Sequence, residues 1–218
     1  MLKATVRSII FDVDKTISGD VSWLRLTSDL GADPDVHGTI FNAFLANNID
    51  YPTAKKQLLD LWTSTGNASK EFMRQVFYSW QLKSDAKEIV EYLRAGYALC
   101  LMSGSMDLYV QTVADKLTIA DWYANTELIW DNQDNLIDLN YFRNQSARKL
   151  VHLKDYFTRY PQFNASNTLI VGDGDSDLEL FRTLKYGIVV TKDRQNYPEL
   201  ESLAYASITE LSELANLL

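Results

Sequence analysis

The sequence predicts an α/β fold: a parallel sheet with helices on both faces, and an all-helical segment inserted after the first strand. Three observations carry this expectation. Apolar runs without alternation recur at Ile9-Ile10-Phe11, at Ala98-Leu99-Cys100-Leu101-Met102 and over residues 168–171, as in strands buried on both faces. Segments with apolar residues at helical spacing separate these runs. Each run ends in a polar cluster, which brings functional side chains to the carboxyl edge of the sheet, where open α/β sheets bind ligands.

Residues 6–11 make the first strand. The next sixty-odd residues carry helix signals and little strand-like continuity. Helices are predicted over 21–30, stopped by Gly31, over 36–46, and over 55–62 after the break at Tyr51-Pro52. Ser69 caps a further helix, whose stripe of Phe72, Met73, Val76, Phe77 and Trp80 is read as packing between these helices. Ser84-Asp85 opens a helix through Ile89, Val90 and Leu93, closed by Gly96. A strand over 97–102 runs into Ser103-Gly104-Ser105, and a helix follows through Met106, Tyr109, Val110, Val113 and Leu117. Residues 126–130 and 136–139 form short strands around the turn Asp131-Asn132-Gln133-Asp134-Asn135. That turn lacks the glycine and terminal glutamate of a calcium loop. A helix over 146–160, the strand 168–171, a helix through Leu178, Leu180, Phe181 and Leu184, a strand over 187–190 and a closing helix over 208–218 complete the chain. Crossovers should be right-handed. Residues 17–83 are too long for one crossover, so the chain divides into a core (1–16 and 84–218) and a helical cap (17–83).

The 218 residues, 46% hydrophobic, suffice for one core domain with an inserted module. A formal charge of −8 argues against a general nucleic-acid binder and against adsorption to an anionic membrane. The single cysteine excludes an intramolecular disulfide framework and fits a reducing compartment; Cys100, inside an apolar run, reads as a core residue. With no signal-peptide pattern at the start and no run of ~20 apolar residues, a soluble, cytoplasmic protein is expected.

The chemistry lies at the strand ends. Asp12 and Asp14 alternate with Val13, so they share a face of an extended segment, and carboxylates that close either share a proton or gather a cation. Asp12, Asp14 and Asp173 are hard oxygen ligands of the kind Mg²⁺ prefers. The Ser103 hydroxyl and the backbone N–H groups after it can hold an anionic oxygen. Together these describe a phosphate beside Mg²⁺. His37 and His152 lie far from any of these motifs and read as ordinary polar-face residues.

With these residues in place, the sequence resembles the haloacid dehalogenase superfamily, and within it the phosphoserine-phosphatase-like branch with a helical cap. The likeness is carried by Asp12-Val13-Asp14-Lys15-Thr16, Leu101-Met102-Ser103-Gly104-Ser105, a basic residue near Lys149, and Gly172-Asp173-Gly174-Asp175-Ser176-Asp177. The resemblance implies a Rossmann-like core and a Mg²⁺-dependent phosphatase acting on a small phosphorylated metabolite. Asp12 would be the nucleophile that becomes an aspartyl-phosphate, and Asp14 the acid-base group. Ser103, Gly104 and Lys149 would bind the phosphate; Asp12, Asp14 (through its backbone carbonyl), Asp173 and Asp177 would serve the metal site. The third motif has two candidates, Lys149 and Lys154. Lys149 falls in the first helical turn and at the margin of the apolar face, whereas Lys154 sits with Leu150 and Phe157, so Lys149 is preferred. The chain departs from the phosphoserine enzymes at Ser105, Ser176 and Lys15, and Asp20 stands one position before their substrate-binding glutamate. Asp20 and Arg25 are the expected substrate contacts in the cap. A phosphotransferase and a non-catalytic phosphate-binding module are the alternative readings, and the sequence leaves the oligomeric state open.

Overall fold

A computed structural model describes residues 2–191 and 197–218. Strands β1 (Ser8–Phe11), β2 (Ala98–Met106), β3 (Asp121–Trp130), β4 (Leu136–Asn140), β5 (Thr168–Gly172), β6 (Tyr186–Val190) and β7 (Ala206–Ile208) form one sheet in the order β4-β3-β2-β1-β5-β6-β7. All pairings are parallel except β3–β4, an antiparallel hairpin around the Asp131–Asn135 turn. β1 is central, with Phe11 in register with Leu101 on one side and Val171 on the other. That register brings the three polar strand ends to a single edge.

Side chains alternate across the sheet and feed two cores. Ile9, Phe11, Leu101, Leu169 and Val171 pack on the side of α5 (Ala86–Arg94) and α6 (Asp107–Leu117). Ile10, Cys100, Met102 and Ile170 pack on the other side, with α7 (Gln145–Arg159), α8 (Leu178–Thr183) and α9 (Pro198–Leu203). Cys100 is fully buried, and burial pushes its thiol pKa up, as befits an unreactive core residue.

Between β1 and α5 lie four helices: α1 (Ser22–Asp29), α2 (Pro34–Leu45), α3 (Tyr51–Thr63) and α4 (Lys70–Ser79). Asp33, Asp50 and Ser69 cap the last three by accepting from Asp35, Thr53 and Phe72 N–H. The segment leaves and re-enters the core at one place: Ser18 bridges Leu82, and Lys83 N–H donates to Ile17 O at 3.0 Å. Trp23 stacks on Trp62 with ring centroids 5.9 Å apart, and His37 meets both edge-on, so α1, α2 and α3 share an aromatic centre.

Several boundaries differ from expectation. β2 continues through Ser103-Gly104-Ser105 to Met106, with an irregular register against β3, because the polar triplet stays extended instead of turning. β3 begins at Asp121, five residues earlier than expected, since its first half pairs with β2 and only its second half forms the hairpin. α3 starts at Tyr51; Pro52 sits in its first turn, where the missing N–H has no helical partner to lose. The stripe of α4 faces the core as well as the neighbouring helices: Phe77 and Trp80 lie 5.2 and 5.1 Å from the Tyr109 ring of α6. The expected closing helix is instead β7, a 3₁₀ turn at Leu211–Glu213 and the short α10 (Leu214–Leu217). Glu213 breaks the expected helix by accepting from the N–H groups of Thr209 and Glu210.

Candidate active site

Asp12 follows β1 directly and shares the sheet face of Ile10, two residues back. The same face receives α7, whose buried stripe is Lys149, Leu153 and Tyr156 at i, i+4 and i+7. Leu153 and Tyr156 therefore pack under Ile10 while Lys149 is carried to Asp12. The Lys149 ammonium is completely buried and donates to Asp12 Oδ1 at 2.8 Å, Asp177 Oδ1 at 2.7 Å and Ser176 Oγ at 3.1 Å. Lys154 is exposed. The apolar stripe thus runs through Lys149 and not at its margin; Leu150 and Phe157, the expected apolar face, are only partly buried.

Asp177 is locked from the other side. Its Oδ2 accepts from the backbone N–H groups of Asp173 and Gly174. A Cβ at Gly172 would stand 2.4 Å from that same oxygen, so only glycine lets the carboxylate close over the strand end. Asp12, Asp173 and Asp177 each offer a carboxylate oxygen, and these atoms lie within 4.8 Å of one another. Thr16 Oγ1 donates to Asp173 Oδ1 at 3.5 Å.

Asp14 stands apart from that group. After Asp12 the chain turns sharply, with Val13 O accepting from Thr16, Ile17 and Ser18 N–H and Lys15 in the left-handed region at φ 59°. Asp14 Oδ2 then accepts from the N–H of Ser22 at 3.0 Å and from its hydroxyl at 2.7 Å. A carboxylate at the first N–H of α1 is favourably placed. Its Oδ1 is buried with no hydrogen-bond partner among the described residues.

The electrostatics follow from crowding. Burial raises the pKa of Asp14 to about 7, assisted by the charge of Asp12 and opposed by the Ser22 bonds. Burial likewise raises Asp173 and Asp177, the first assisted by Asp12 and the second opposed by Lys149. For Lys149, burial disfavours the ammonium, but Asp12 and Asp177 outweigh it and the net shift is upward. With Asp12, Asp173 and Asp177 ionised, one ammonium leaves two negative charges uncompensated. A hard divalent cation fits such an all-oxygen donor set.

Beside β1, Ser103 is buried in the second half of β2, and its Oγ accepts from Ser105 N–H at 3.2 Å. Ser105 in turn shares a hydrogen bond with Ser22. Gly104 lets Gln145 close in, since a Cβ there would meet Gln145 Oε1 at 2.9 Å. Asp12, Asp14, Ser103, Gly104 and Ser176 line the floor of a cavity of about 480 Å³, roofed by α1, α2 and α3. Asp20 and Arg25 are paired with each other, with Arg25 also over the Trp80 ring, and neither lines this cavity. His37 lines it and is buried, not on a polar face, with Thr27 Oγ1 2.7 Å from its Nδ1. His152 is partly buried beside the Tyr123 ring, away from the cavity. Ser22 and Gln145 were not singled out by sequence. The signal for Ser22 was the start of a helix directly after an acidic motif.

A family model for haloacid dehalogenase-like hydrolases matches residues 9–182, and the chain belongs to that family. No curated protein matches it by sequence. Among solved structures, a phosphoserine phosphatase determined as a phospho-aspartyl intermediate analogue superposes with a TM-score of 0.75 at 19% identity, covering 98% of this chain and 99% of that one. A phosphoserine phosphohydrolase-like protein from Francisella tularensis gives 0.68 at 22% identity, covering 98% and 100%. A HAD family hydrolase from Salmonella enterica gives 0.74 at 18%, covering 93% of this chain and 68% of that one. At these identities the likeness is one of fold.

Proposed function

We propose that the chain is a Mg²⁺-dependent phosphatase that hydrolyses a phosphomonoester through an aspartyl-phosphate on Asp12. The observation that carries this reading is the division of labour between two neighbouring carboxylates. Asp12 is paired with Lys149 in the acidic group, while Asp14, two residues on, is turned away onto Ser22 and burial raises its pKa to about 7.

In the first step an Asp12 carboxylate oxygen attacks phosphorus, the P–O bond to the alcohol breaks, and Asp14 gives its proton to the departing oxygen. In the second, Asp14 takes a proton from water as it attacks the acyl-phosphate, releasing inorganic phosphate and restoring Asp12. A Lys149 ammonium, the Ser103 hydroxyl and the N–H groups of the Ser103-Gly104-Ser105 segment neutralise the non-bridging oxygens. Asp12, Asp173 and the backbone carbonyl of Asp14 would hold Mg²⁺, with Asp177 supporting from behind; its charge would offset that of the phosphate. Residues 17–83 act as a cap that excludes bulk water from the acyl-phosphate.

The test is release of inorganic phosphate from a panel of phosphomonoesters, with Mg²⁺ and with EDTA, by the protein and by Asp12→Asn. Turnover that needs Mg²⁺ and Asp12 is the expected result. Turnover that survives Asp12→Asn removes the nucleophile from this scheme.

A further inference from the structure

The part of the cavity above the carboxylates bears on what leaves with the phosphate. Its walls are Trp23, Leu24, Ile40, Phe41, Phe44 and Leu58, from α1, α2 and α3. Leu24 and Phe41 are 42% and 40% exposed, and both border the cavity. Apolar surface kept accessible inside a concave site marks a place where a ligand is buried.

The basic side chains of this upper region, Lys55 and His37, are already committed. Lys55, the single lysine or arginine among the described lining residues, is 2.8 Å from Asp138. His37 is held by Thr27, and burial lowers its pKa to about 4, so it is neutral. Arg25, the expected substrate cation, is paired with Asp20 and Asp29 outside the cavity lining. A phosphorylated amino acid brings an ammonium and a carboxylate into this space. Both would lose their hydration against aromatic and aliphatic walls; among the described lining residues there is no free cation for the carboxylate and, beyond the carboxylates of the floor, only the exposed Asp175 for the ammonium.

Resting on the phosphatase reading above, we propose that the substrate is the phosphate monoester of an apolar alcohol, aryl-alkyl or alkyl, whose hydrocarbon part is buried under α1 and α2. Phosphate binds at the floor, the hydrocarbon fills the upper cavity, and the products are inorganic phosphate and the free alcohol. The wall chemistry then sets the ranking: each added methylene that enters the cavity improves binding, whereas each fixed charge weakens it.

The experiment compares benzyl phosphate and hexyl phosphate with phosphoserine and phosphoethanolamine. All four leave as ordinary alcohols, so intrinsic leaving-group reactivity does not set the order. The expected result is kcat/KM at least tenfold higher for the two apolar esters. Phe41→Ser should lower that ratio, and Leu24→Arg should lower it further by admitting the phosphoserine carboxylate. Both side chains are part-exposed, so the folded chain remains available for assay.

Binding separates this inference from the reading beneath it. Benzylphosphonate and 2-amino-4-phosphonobutyrate are titrated calorimetrically into the Mg²⁺-loaded protein. Preferential binding of benzylphosphonate without turnover of any ester would sustain the apolar pocket and remove the phosphatase. Equal or better handling of the zwitterionic compounds, in turnover or in binding, overturns the inference and leaves the phosphatase standing. Binding of neither phosphonate overturns it as well.

Discussion

At the scale of single residues, the site is built on Lys149. Its ammonium is wholly buried between Asp12 and Asp177, so its removal leaves both carboxylates in low dielectric without a counter-charge. Breaking a buried pair from one side costs about 3–5 kcal/mol. Lys149→Met should therefore abolish turnover and also lower stability by that order, whereas Lys154→Ala should change neither by much, within about 0.5 kcal/mol. Urea unfolding alongside phosphate release reads both; a stable Lys149→Met would show that the buried charges had found another partner. Gly172→Ala tests the neighbouring contact. Its Cβ would overlap Asp177 Oδ2, and either the carboxylate moves off Lys149, lowering kcat, or the strand yields, at about 1–3 kcal/mol. The acidic residues of this site were legible in the sequence because Asp12 and Asp173 each close an apolar run, with Asp14 and Asp177 in the same polar clusters. The stripe of α7 was not. Leu150/Phe157 and Leu153/Tyr156 are both plausible apolar lines on a helical wheel, and only the position of Ile10 on the sheet selects the second.

At the scale of elements, the coupling between α1 and the site is the informative feature. Ser22 opens α1 and holds Asp14 with both its N–H and its hydroxyl, so the helix that roofs the cavity also orients the proposed acid. Ser22→Ala removes one of these bonds and keeps the other. A hydrogen bond to a charged group contributes about 1.5–3 kcal/mol, which corresponds to roughly ten- to a hundredfold in rate if the bond acts mainly at the transition state. The expectation is a fall in kcat of that size with KM little changed. A loss confined to KM would mean that Ser22 positions substrate and not Asp14. The strands and inserted helices were readable from the sequence because burial on both faces erases alternation in strands, and amphipathic periodicity marks helices. The extension of β2 through Ser103-Gly104-Ser105 was hidden, since that composition signals a turn and only pairing with β3 keeps it extended. The role of α4 was hidden in part for a related reason: its stripe finds Tyr109 on α6, a partner from a later helix on the far side of β2 in the chain. His37 likewise became a core residue through Trp23 and Trp62, which lie on two other helices.

At the scale of the whole molecule, the acidic group is a local cost set against global stability. The protein carries a formal charge of −8, and three of its carboxylates converge at one strand edge with a single buried lysine among them. A divalent cation that binds this group in the folded chain, and not in the unfolded one, stabilises the fold by mass action. At a hundred times its dissociation constant that amounts to about 2.7 kcal/mol. A domain of this size gains roughly 2–4 °C in Tm per kcal/mol, so saturating Mg²⁺ should raise Tm by about 5–10 °C. Asp173→Asn removes one hard ligand and one repelling charge together. Its metal-free form should melt at or above the metal-free parent, because burial and the Asp12 charge both oppose ionisation of Asp173. Its response to Mg²⁺ should shrink to a small fraction of the parent's. Thermal unfolding with EDTA and across a Mg²⁺ titration reads both effects without any substrate. If Asp173→Asn keeps the full Mg²⁺-dependent rise, the cation binds elsewhere and the acidic group is satisfied by protons alone.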